Sequence, residues 1–170
     1  VNGKFSPAQK QVYEIVLEAQ QSAIEQCYSG RNFQEPHDAA LKVLTAGLFE
    51  LNVLKRNDHG TVEDAIASEA YKPFYMHRTS HWLGMDVHDV GSYREPNDSQ
   101  LGWRILRPGV VLTIEPGLYF RPNENVPQQY WDIGIRIEDD VVIGSKEYEI
   151  LSRDVPVSLS EIEYCMKNEK

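Results

Sequence analysis

Two different periods of apolar residues run along this chain, and the change from one to the other divides it in half. In the first half Val12, Ile15, Val16, Ala19 and Ala23 recur at the spacing that keeps one face of a helix apolar. Ser6 and Pro7 mark the start of that helix, a cap followed by proline at the first helical position, and Gly30 supplies a stop. A second helix is predicted from Pro36 through Leu41, Val43, Leu44, Leu48 and Leu51 to near Asn57. Thr61 with Asp64 has the form of a capping box for a third, shorter helix that ends before Pro73.

From about Phe74 the helical period fades and glycine, proline, aromatic and β-branched residues increase. Val110 to Ile114 is a strand by composition, ended by Pro116-Gly117. Ile133 to Glu138 alternates strictly and runs on into Val141-Val142-Ile143, after a polar, proline-bearing loop from Arg121 to Gln129. Helices first and strands later predict an α+β domain, with helices covering one face of a curved, mostly antiparallel sheet. A short closing helix with a frayed, charged end is expected after Ser158.

The composition narrows the partners. The 170 residues, 41% hydrophobic and 25% charged, suit a single domain over residues 1–170. A net charge of −9 disfavours nucleic acid, which needs clustered Lys and Arg. No run approaches the roughly 20 apolar residues of a membrane helix, and Val1 to Phe5 lacks the apolar core of a signal peptide. Cys27 and Cys165 lie far apart and form no zinc pattern, so two unpaired thiols in a reducing cytoplasm are expected.

The candidate chemistry lies between His77 and Glu138. Three histidines, His77, His81 and His88, fall within twelve positions; Glu115 ends an apolar strand; Arg136 and Glu138 share a strand face. By alternation Ile133, Ile135 and Ile137 face the core, while Gly134, Arg136 and Glu138 face away from it. Glu115 likewise points away from Leu112 and Ile114. An isolated Arg-x-Glu would be read as a surface ion pair. Three histidines beside two strand-borne carboxylates make a metal or acid–base site the competing reading. The donor types are hard and oxygen-rich, which suits Mn²⁺, Co²⁺, Fe²⁺ or Zn²⁺ in a hydrolytic centre. The run His77-Arg78-Thr79-Ser80-His81 lacks the glutamate of the helical zinc motif.

Three ordered blocks carry a resemblance. His81-Trp82-Leu83-Gly84-Met85-Asp86-Val87-His88-Asp89-Val90-Gly91, Leu112-Thr113-Ile114-Glu115-Pro116-Gly117-Leu118-Tyr119 and Gly134-Ile135-Arg136-Ile137-Glu138-Asp139-Asp140 resemble the signature blocks of Xaa-Pro aminopeptidases, the aminopeptidase P type of the pita-bread metallopeptidases. The resemblance implies the C-terminal portion of that fold. It also implies hydrolysis of the N-terminal residue from peptides with proline at the second position, by a hydroxide bridging two divalent ions, with manganese the first choice. His81, Glu115 and Glu138 would be metal ligands, Glu138 bridging both ions and Glu115 also accepting the water's proton. His77 would bind substrate or shuttle protons, His88 would steady the tetrahedral intermediate, and Arg136 would orient the Glu138 neighbourhood. Two ions ~3.5–4 Å apart lower the pKa of a shared water, as one zinc can, to about 7. A homo-oligomer is expected of the full-length protein.

The family pattern also contains two aspartate ligands on a strand pair upstream of the segment that here begins at Val1. Asp38, Asp58 and Asp64 lie in or beside helical segments and offer no substitute. The expectation is therefore an incomplete catalytic domain that lacks upstream strands, binds metal weakly and is inactive alone. Arg78 and Thr79 stand where the family has small or apolar residues, Asp132 where it usually has glycine, and the Ser92–Trp103 loop is longer than usual. The competing readings are a prolidase-type dipeptidase and a non-catalytic pita-bread module that binds peptides; retention of all six site residues weighs against the second.

Overall fold

The computed structural model of the chain describes residues 3–95 and 102–168. Expectations for Val1-Asn2, for the middle of the Ser92–Trp103 loop and for the last two residues lie outside the described residues.

Helix α1, Pro7–Ile24, begins with the expected cap: Ser6 accepts from the backbone of Gln9, whose side chain accepts in return from Ser6. Its buried residues, among them Val12, Val16, Ala19 and Ala23, follow the apolar stripe in the sequence. Helix α2, Glu35–Glu50, packs against α1. The two approach closely where Gly47 faces Ile15, since a Cβ on Gly47 would come within 2.4 Å of Ile15 Cγ2.

The sequence pattern carried α2 to near Asn57, but the helix ends seven residues earlier. Asn52 adopts φ 55°, a left-handed conformation that asparagine tolerates, and the backbone N–H groups of Val53 and Leu54 both return to the Leu48 carbonyl. Leu51, Val53 and Leu54 still enter the core, from a turn and not from a helix. Helices α3, Arg56–His59, and α4, Val62–Ala67, follow; α4 carries the Thr61–Asp64 capping box. Helix α5, Leu159–Asn168, is the closing helix.

Among the described residues five short strands make two antiparallel sheets. Strands β1, Val111–Ile114, β4, Asp139–Ile143, and β5, Tyr148–Ile150, lie in the order β1-β4-β5. Strands β2, Gly117–Tyr119, and β3, Gly134–Arg136, form a separate pair. Pro116-Gly117 was expected to end the strand, yet the chain resumes as β2 in the same direction. Proline has no N–H to donate, so the ladder is interrupted while the line of the backbone continues. The register is unbroken across the gap: Ile114 pairs with Asp139, and Gly117 with Arg136. Glu115 therefore falls opposite Glu138.

A third chain line flanks β1 on its other edge. The backbone N–H groups of Thr113 and Glu115 bond to the carbonyls of His81 and Thr79, and Trp82 bridges Leu112 in antiparallel fashion. Leu112, Ile114, Leu118, Ile137, Val141 and Ile143 are buried on one face of the sheet, and α1 packs across β1, β2 and β3. Gln20 of α1 donates to Asp139 at 2.8 Å, and Ser152 donates to the other carboxylate oxygen at 2.5 Å, which locks β4 beneath the helix. Among the described residues no helix is long and apolar enough to cross a membrane.

Candidate metal centre

Three neighbouring chain lines each bring one candidate ligand to the face of the sheet away from α1. His81 comes from the flanking segment, Glu115 from the end of β1 and Glu138 from the start of β4; their donor atoms all lie within 4.8 Å of one another. Alternation had put Glu115, Arg136 and Glu138 on this face, and the register supplies the closeness that alternation could not. This face is less open than the sequence suggests: Glu115 is only 8% exposed because its neighbours cover it.

Proton positions follow from the partners. His81 Nδ1 lies 3.0 Å from the carbonyl of Trp82, which can only accept, so Nδ1 carries the hydrogen. The lone pair of Nε2 then faces Glu115 Oε1 at 3.2 Å. Two electron-rich atoms at that distance require something positive between or beside them, either a second proton on the imidazole or a metal ion. Glu138 adds to the demand. Burial, and then the charge of Glu115, raise its pKa above the ordinary carboxylate value. One imidazole and two facing carboxylates thus fit a hard divalent cation.

Glu115 is held from two further sides. Thr113 Oγ1 lies 3.3 Å from its Oε1, and Arg136 Nη1 3.3 Å from Oε2. Arg136 was expected to orient the Glu138 neighbourhood; its contact is with Glu115, and its charge also reaches Glu138. Arg136 Nε donates to Tyr119 Oη at 2.9 Å, and the same oxygen lies 2.9 Å from His77 Nε2. Burial lowers the pKa of His77, and its Nδ1 faces the carbonyl of Arg78 at 2.8 Å. Neutral His77 therefore carries its hydrogen on Nδ1, and Tyr119 donates its own hydroxyl proton to Nε2. His88 is exposed, with its ring edge-on to His81 at 4.2 Å between centroids.

All six expected site residues thus converge. Tyr119, which joins His77 to Arg136, and Thr113, which braces Glu115, carried no assigned role in the sequence. The period-two rule could have found Thr113, which shares a face with Glu115 in one strand; Tyr119 lies beyond the Pro116-Gly117 stop, and only the pairing of β2 with β3 puts it on that face. Asp132 also gains an account: its φ of 60° lies in the left-handed region, where glycine is the usual residue and aspartate is tolerated.

The model of metallopeptidase family M24 matches residues 1–145. The Xaa-Pro aminopeptidases of Haemophilus influenzae and Escherichia coli are each 45% identical over 166 residues, 98% of this chain and 36% of theirs. Among solved structures, aminopeptidase PepP of Pseudomonas aeruginosa superposes with a TM-score of 0.90 at 48% identity, over 98% of this chain and 36% of that one. The zinc-substituted aminopeptidase P of Escherichia coli in complex with product gives 0.88 at 44%, over 99% and 36%. The chain therefore spans about a third of the length of these relatives, and the fold is the pita-bread fold expected from the sequence.

Proposed function

This chain belongs to metallopeptidase family M24, and on that premise we propose that the protein carrying it removes the N-terminal residue from peptides with proline at the second position. His81, Glu115 and Glu138 would hold a divalent metal centre of two ions, with manganese as the working ion. The observation that carries the reading is the pair of opposed carboxylates, Glu115 and Glu138, faced by the free lone pair of His81 Nε2. The names of the relatives supply the substrate class. A reducing compartment belongs to the same proposal and rests on the free thiols of Cys27 and Cys165.

A divalent ion in this site supplies Lewis acidity, polarising a carbonyl and acidifying water. The protein's own groups do the rest. Glu115 takes up a proton on its carboxylate, and Arg136 and Thr113 keep that carboxylate aimed while it does so. Neutral His77, fixed by Tyr119, can accept or return a proton only through Nε2. Exposed His88 can donate to an oxygen that gains negative charge beside His81. An amide on the proline side has no N–H, so recognition there has to use shape and the carbonyl.

The test is hydrolysis by the manganese-loaded protein of a Xaa-Pro dipeptide and of the matching Xaa-Pro-Yaa tripeptide. Cleavage of the tripeptide after its first residue supports the reading. Cleavage of the dipeptide alone moves it to the prolidase reading, and a protein that neither binds manganese nor cleaves either peptide moves it to the binding module.

A further inference from the structure

Buried Thr79 is tied to the metal centre by backbone alone, while its side chain reaches away from it. Thr79 lies two places before His81 and beside Glu115, and its carbonyl accepts the backbone N–H of Glu115 at 2.7 Å. It is fully buried. Its hydroxyl oxygen lies 2.9 Å from Nδ1 of His37 in the first turn of α2 and 2.5 Å from the hydroxyl of Tyr75. His37 is buried and Tyr75 is 1% exposed, and their rings stack at 5.9 Å. None of the roles assigned above uses His37.

We propose that His37 is a positioning residue for the metal centre: through the Thr79 hydroxyl it anchors the segment between His77 and His81 to helix α2, and so sets how His81 meets Glu115. The inference rests on the metallopeptidase reading of that site.

The chemistry of the three groups makes the anchor directional. A threonine hydroxyl has one proton to donate and two lone pairs. Burial, followed by the charge of Arg78, pushes His37 down to about 4, so its ring is neutral near pH 7. Protons can then run from Tyr75 through Thr79 to His37 Nδ1, or from His37 through Thr79 to Tyr75. In either order Thr79 Oγ1 makes two bonds at once. The χ1 of a β-branched residue is stiff, so a hydroxyl fixed twice also fixes the backbone that bears it. That backbone passes in one direction to His81 and hydrogen-bonds sideways to Glu115. Helix α2 is itself packed on α1, so the helical layer becomes the reference against which the two ligands are placed.

The experiment uses the complete protein with His37→Phe, His37→Asn, Thr79→Val and the double variant His37→Phe/Thr79→Val. The readouts are the Co²⁺ dissociation constant by chelator competition, the visible absorption of the Co²⁺ centre, and Tm. Phenylalanine keeps the ring volume without the nitrogen, while asparagine can present an amide group near the position of Nδ1. His37→Phe and Thr79→Val should each weaken Co²⁺ binding about 10–100-fold, the usual effect of losing a group that orients a ligand, and should shift the absorption band. The double variant should lose no more than the larger single loss, and His37→Asn should recover most of it.

A lowered Tm with unchanged cobalt affinity and spectrum would show a merely structural role and overturn the proposal. So would additive losses in the double variant. If His37→Phe does not fold, the near-isosteric Thr79→Val decides by the same readouts. Hydrolysis of Xaa-Pro peptides by the wild-type protein is measured alongside. No hydrolysis together with altered cobalt affinity removes the proposed activity and leaves this inference standing; hydrolysis with unaltered affinity does the reverse. A wild-type protein that binds no cobalt overturns both.

Discussion

Glu115 and Glu138 stand directly opposite each other in one antiparallel register, in the gap between two strand pairs that share it. Like charges in that position oppose folding. The pKa of Glu138 is raised by burial and by Glu115, so the conflict is felt in the metal-free protein. A local rule broken this openly marks a functional site, because a cation between the two carboxylates turns repulsion into attraction.

Replacing Glu138 with glutamine should therefore separate stability from function. Glu138→Gln removes the repulsion at neutral pH, and Tm of the metal-free protein should rise slightly, by no more than the ~2–4 °C that about 1 kcal/mol gives in a domain of this size. Metal affinity should fall by at least ~10–100-fold, since a direct ligand matters no less than a group that orients one. Differential scanning fluorimetry and chelator competition on the same samples check both halves.

Tyr119→Phe should uncouple His77 from Arg136. The ring stays, but Arg136 Nε loses an acceptor and His77 Nε2 loses its donor. The expected result is a drop of about 10–100-fold in kcat/KM on a Xaa-Pro tripeptide, with a much smaller loss of metal affinity. Equal losses in both would place Tyr119 nearer the metal than its contacts indicate.

His37 should give the fold an acid-sensitive component. Its pKa is about 4 in the folded chain and 6.5 when unfolded, so the folded state binds fewer protons between those values. The stability due to neutral His37 is fully present above pH 6.5, declines as pH falls below it, and is gone near pH 4. The loss is up to about 3 kcal/mol at ~1.4 kcal/mol per unit. Urea denaturation at pH 7 and pH 4.5 should show this difference in the wild type and a smaller one in His37→Phe.

Asp132→Gly should be neutral or stabilising. At φ 60° a residue with a Cβ pays the cost of the left-handed region, roughly 1–2 kcal/mol for most residues and less for aspartate. A rise of 0 to ~3 °C in Tm is expected, and Asp132→Val should lower Tm instead.

Much of this protein could be read from local pattern. The stripe Val12, Val16, Ala19, Ala23 and the Ser6–Pro7 start needed only neighbouring residues to define α1, because helix period and capping are local properties. The alternation of Ile133 to Glu138 put Arg136 and Glu138 on one face for the same reason. Where α2 stops was not legible, since Leu51, Val53 and Leu54 are apolar enough to continue it; the core takes them from a turn that Asn52 permits. Strand β2 was hidden because Pro116-Gly117 reads as a stop, and only a partner strand shows that the line goes on. The types of the metal ligands are written in the chain. The pairing of Glu115 with Glu138, the buried state of Glu115 and the reach of His37 to Thr79, 42 positions away, are not. Those depend on how strands register and on which helix lies beside which loop, and burial and hydrogen bonding decide that over the whole chain at once.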